Sequence, residues 1–75
     1  MEGLTPGRMV HYVLNNGEHR PAVVVNIEDA ADGRVELFVM LSITDDALAI
    51  THSNVFNVWH SVEPLPKHWH WIERA

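Results

Sequence analysis

The sequence predicts an all-β domain, a small antiparallel barrel assembled from five short strands. Three observations lead there. Apolar residues alternate over short runs and do not recur at helical spacing. Gly, Pro and Asn punctuate the runs with turn chemistry. The chain has 75 residues, which leaves room for one domain, spanning 1–75, with one small core.

The elements follow in order. After Pro6-Gly7, residues 9–14 place Val10, Tyr12 and Leu14 on one face and Met9, His11 and Val13 on the other, which predicts the first strand. Asn15-Asn16-Gly17 supplies the positive φ of a tight hairpin, in a loop lengthened by Glu18, His19 and Arg20. The second strand is expected over 22–27, where Val23-Val24-Val25 is β-branched and stiff, with Pro21 tolerated at its start. A polar stretch over 28–33 ends in Asp32-Gly33. Val35, Leu37, Val39 and Leu41 then alternate with Glu36, Phe38 and Met40, predicting the third strand.

Residues 42–49 read as a loop, with Thr44-Asp45-Asp46 offering an alternative cap for a short helix. The fourth strand is expected over 55–60, with Val55, Asn57 and Trp59 on one face and Phe56, Val58 and His60 on the other. Pro64 and Pro66 stop it. A short closing strand is expected over 69–72. Five strands in so short a chain point to an SH3-like, partly open, five-stranded antiparallel barrel.

Two of these strands are apolar on both faces. Phe38 and Met40 oppose Val35, Leu37 and Val39, and Trp59 opposes Phe56 and Val58. One face fills a barrel; the other calls for a partner. A chain this small buries only about 60% of its unfolded surface, and without cysteine it has no disulfide to compensate. The expectation is therefore a homo-oligomer with Phe38, Met40, Trp59 and Trp71 at the interface.

Charge narrows the partners. Ten acidic residues against five basic ones give a net charge of −5, the wrong sign for duplex nucleic acid, which needs clustered Lys or Arg. The apolar runs are too short for a membrane-spanning helix, and residues 1–6 lack the basic and apolar segments of a secretory leader. A cytoplasmic protein is expected.

Six histidines stand out. His68 and His70 would project from one face of the last strand, and Trp69 and Trp71 from the other. Indoles offer stacking faces, and imidazoles offer hydrogen bonds or partial positive charge to an anion. A small-ligand groove is therefore expected from His11, Arg20, Trp59, His60, His68, Trp69 and His70, with Arg20 as the phosphate partner. At least one of Trp69 and Trp71 should plug the barrel. His68 and His70 with either His60 or His11 could share a metal, but no zinc signature accompanies them, and neither metal nor cofactor is expected. His19, in the predicted loop, reads as solvated.

Catalysis has little support in the sequence. There is no cysteine nucleophile, glycine-rich phosphate loop or Gly-x-Ser-x-Gly elbow. Ser61 and His60 are neighbours, so on a strand they point to opposite faces and cannot act as nucleophile and base. The chain is expected to bind and not to catalyse.

Val10-His11-Tyr12-Val13-Leu14, a turn with Gly17, the run from His19 to Val25, and the closing Pro66, Trp69-His70-Trp71 and Glu73-Arg74 resemble a group of small tailed-phage and prophage proteins. These share a His-Tyr-Val-Leu opening, an Arg-Pro-Ala-hydrophobic run and a Trp-His-Trp ending. The chain departs from them at Lys67 and His68, where Gly-Thr would stand, and at Ile72, where Pro would stand. The resemblance implies a small barrel of phage origin acting in the host cytoplasm. By analogy with small oligomeric phage proteins that sequester nucleotide immune signals, it suggests a cyclic dinucleotide or cyclic ADP-ribose type of ligand. The alternative is a module that docks on a host or virion protein through exposed aromatics.

Overall fold

The computed structural model describes residues 1–42 and 52–72. Within them the chain is all-β: β1 (Met9–Val13), β2 (His19–Asp29), β3 (Arg34–Met40), β4 (His52–Val58) and β5 (Trp69–His70). The strands form one antiparallel sheet in the order β4-β3-β2-β1-β5. The described residues include no helix, and so none long and apolar enough to cross a membrane. The segment predicted as a loop over 42–49 lies, beyond Ser42, outside the described residues.

The first hairpin follows from its turn residues. Gly17 has φ +87°, the Glu18 amide donates to Asn16 Oδ1 at 2.9 Å, and the Leu14 amide donates to the Glu18 carbonyl at 2.8 Å. This tight closure leaves little loop, so β2 begins at His19 instead of at the expected residue 22 and pairs Val13 with His19 and Tyr12 with Arg20. At its other end β2 runs on to Asp29, past register shifts at Val24/Asn26 and Ile27/Asp29. Such bulges bend and twist a strand while keeping its inner face inward.

The core lies on one face of the sheet. Val10, Tyr12, Ala22, Val24, Val35, Leu37, Val39, Val58 and Trp69 are buried together, joined by Leu4. The alternation in β3 matches the sequence closely, with Val35, Leu37 and Val39 buried and Glu36, Phe38 and Met40 half-buried on the opposite face.

β4 ends at Val58, where it was expected to continue to 60, because Asn57 takes φ +53° and breaks the pleat. The chain beyond it turns to β5. The Trp69 amide donates to the Trp59 carbonyl at 3.1 Å and the Ser61 amide to the Trp69 carbonyl at 2.9 Å, a parallel bridge between His60 and Trp69. One isolated bridge therefore links the residues after β4 to β5, while β4 and β5 remain the two edge strands of the sheet. β5 itself pairs only two residues with β1, His70 opposite His11 and Trp69 opposite Tyr12, so the strand expected over 69–72 is half that length.

Candidate functional site

Register decides which side chains meet. Residues directly opposite one another on antiparallel strands share a face, and alternate residues on a strand return to it. His11 lies opposite Pro21 on one side and His70 on the other. His19, two residues before Pro21, therefore shares that face. Tyr12, between Arg20 and Trp69, points to the core.

Three imidazoles thus converge from three adjacent strands. Ring centroids are 5.9 Å apart for His11 and His19, 5.6 Å for His11 and His70 and 4.7 Å for His19 and His70. One ring nitrogen from each lies within 4.8 Å of the other two. His11 and His19 are half-buried and His70 is buried. His19, read from the sequence as solvated, is a full member of this cluster, because β2 starts three residues earlier than the pattern suggested.

The cluster borders a pocket of about 460 Å³ lined by His19, His60, Val62, Pro64, His70 and Trp71. The segment between β4 and β5 supplies Val62 and Pro64 and gives the wall its apolar character. His60 packs edge-on against Trp69, with centroids 4.7 Å apart. Burial lowers its pKa below the ordinary 6.5, and the charge of His70 lowers it further. His60 therefore favours the neutral form, which can donate from one ring nitrogen and accept at the other.

Trp71 also borders a second hollow of about 500 Å³ with Gly7, Arg8, Met9 and Ile72. The Arg8 guanidinium stands 5.3 Å from the Trp71 ring centre, within cation–π range. Trp71 packs edge-on against Trp69 at 5.0 Å and against the core. It lies on the core face, opposite the one that carries Phe38 and Met40.

The remaining sequence candidates separate. Trp69, expected in the groove, is instead fully buried in the core, and its indole nitrogen donates to the Gly33 carbonyl at 2.7 Å. Arg20 lies on the core-facing side of β2, opposite His19, and its guanidinium meets Glu18 Oε2 at 2.6 Å and the His19 carbonyl at 2.9 Å. His68 turns into its own loop, where Nδ1–H donates to the Pro66 carbonyl at 2.9 Å. Trp59 is exposed beneath Arg34, 5.8 Å from its ring centre. Of the expected groove, His60 and His70 line the pocket, His11 reaches it through its ring contact with His70 and Trp69 backs His60 from the core, while Arg20, Trp59 and His68 are not among the lining residues.

Phe38 belongs to an outer-face row that runs Met9, Val23, Phe38, Asn54 across β1 to β4, with Met40 two residues further along β3. Trp59 lies under the Arg34 guanidinium, and Arg34 is four residues or about 13 Å along β3 from Phe38. No protein-family model, curated protein or solved structure matches this chain.

Proposed function

We propose that this chain is a non-catalytic, cytoplasmic binding domain that takes a small anionic, aromatic ligand of the nucleotide type in the pocket lined by His19, His60, His70 and Trp71. The pocket carries this reading. Its volume of about 460 Å³ falls in the range typical of small-molecule sites, which are mostly apolar with a few convergent polar groups. Three imidazoles supply hydrogen bonds to an anion, and the Trp71 indole supplies a stacking face. Arg8, on the far side of Trp71, adds positive charge to the same neighbourhood.

Phage origin, and with it sequestration of a cyclic dinucleotide or cyclic ADP-ribose type of signal, rests on the resemblance of the Val10–Leu14 and Trp69–Trp71 motifs. An SH3-like, partly open barrel is favoured by the backbone bonds that tie Trp59 and Ser61 to Trp69. Homo-oligomerisation is favoured by the outer row of Met9, Val23 and Phe38.

A thermal-shift panel of cyclic and ADP-ribose-like nucleotides on metal-free protein tests the reading. A ligand at one hundred times its Kd stabilises by about 2.7 kcal/mol, a readily measured rise in Tm, and Trp71→Ala should abolish it. No shift across the panel overturns the nucleotide reading. The competing reading, a protein-docking module, draws on the exposure of Phe56 at 63% and Val62 at 89%; such a module would ignore nucleotides and lose its partner on Phe56→Ser.

A further inference from the structure

The convergence of His11, His19 and His70 has a use that nucleotide binding does not require. We propose that these three histidines form a binding site for a divalent transition-metal ion of the zinc class, with an open coordination position facing the 460 Å³ pocket.

The donor set fits that chemistry. Neutral imidazole is the commonest protein ligand for metal ions and suits zinc, copper and nickel. Calcium and magnesium demand oxygen ligands and are not served by three nitrogens. Zinc sites with three protein ligands keep a fourth position for water or another molecule. His19 and His70 both line the pocket, so a group entering it can reach the ion's open side.

Positioning is equally favourable. The histidines stand on β1, β2 and β5, three neighbouring strands of one sheet, and their side chains emerge on one face through the His11–His70 pairing and the adjacent Val13–His19 pairing. The donor nitrogens lie within 4.8 Å of one another. Zinc–nitrogen bonds of 2.0–2.1 Å in a tetrahedron set nitrogens about 3.3 Å apart. Rotation of the imidazoles about their side-chain torsions would bring the nitrogens to that spacing. Sequence spacing hid the set because its members lie 8 and 51 positions apart, from His11 to His19 and from His19 to His70.

Isothermal titration of chelator-stripped full chain with Zn²⁺, and with Co²⁺ as an optical probe, tests the site without any nucleotide. The expected result is one ion per chain, with the intense visible bands of four- or five-coordinate Co²⁺. His19→Ala, at a half-buried strand start, should retain the fold by circular dichroism yet bind at least about tenfold more weakly, since even outer-shell changes cost tenfold or more. His68→Ala should bind like the parent. Absence of saturable binding overturns the proposal, as does unchanged affinity in His19→Ala or an equal loss in His68→Ala. A metal-binding chain that ignores every nucleotide would sustain this site and overturn the nucleotide reading; the reverse pattern would do the opposite.

Discussion

The Trp69 indole nitrogen donates a buried 2.7 Å hydrogen bond to the carbonyl of Gly33, 36 residues earlier in the chain. This bond pins the two-residue β5 to the turn between β2 and β3. Trp69 is also the residue on which Trp59 and Ser61 converge through backbone bonds. One side chain therefore fills the core and fixes the edge of the sheet that carries His70.

Trp69→Phe keeps an aromatic ring but leaves the Gly33 carbonyl buried without its donor. A buried group so orphaned costs about 1–3 kcal/mol. Urea unfolding should show a lower midpoint with an unchanged slope, and the metal affinity should weaken as β5 loosens. An unchanged midpoint would mean that β5 is anchored by other contacts.

Gly33 is constrained twice. Its φ is +73°, and a Cβ built there would stand 2.9 Å from the His60 Cβ. Gly33→Ala should cost about 2 kcal/mol through backbone strain alone and push His60 away from Trp69. The expected signature is a lower Tm together with a change in tryptophan emission.

Tyr12 is the sole tyrosine of the chain, so its titration can be followed by phenolate absorbance without overlap. Burial raises its pKa above the ordinary 10.0. A raised folded-state pKa means that the contribution of this group to stability is intact below pH 10 and is lost as pH rises from there through the folded value. Phenolate absorbance in the native protein should appear at higher pH than in urea-unfolded chain, and Tyr12→Phe should lessen the loss of stability above pH 10.

Phe38→Glu places a charge in the outer row of Met9, Val23 and Phe38 without entering the core. If copies of the chain associate through this face, light scattering at micromolar concentration should show an oligomer for the parent and a monomer for the variant. A monomeric parent would remove the self-association reading altogether.

The alternation of β3 and the Asn-Gly hairpin could be read in advance because both are local. A period of two records which face of a strand is buried, and a positive-φ turn needs residues that tolerate it. The same local logic expected one of Trp69 and Trp71 in the interior but assigned Trp69 to the ligand groove, and only the fold shows that Trp69 is the buried one. It failed at His19, because whether a polar residue beside a turn joins the strand depends on how tightly the hairpin closes. It also grouped Arg20 with His11 and His70, since sequence proximity does not reveal that Arg20 pairs with Tyr12 and so faces the other way.

An all-β chain with a β-branched, alternating core was determined by the sequence alone, through side-chain shape and turn chemistry acting over a few residues. The meeting of His11, His19 and His70 was decided only by the tertiary structure. Strand order and register are set by how the whole sheet buries its apolar face, and they bring distant residues within ring contact. The pocket beside them follows from the same cause, because the chain after β4 had to cross to β5 to cover the edge at Trp69.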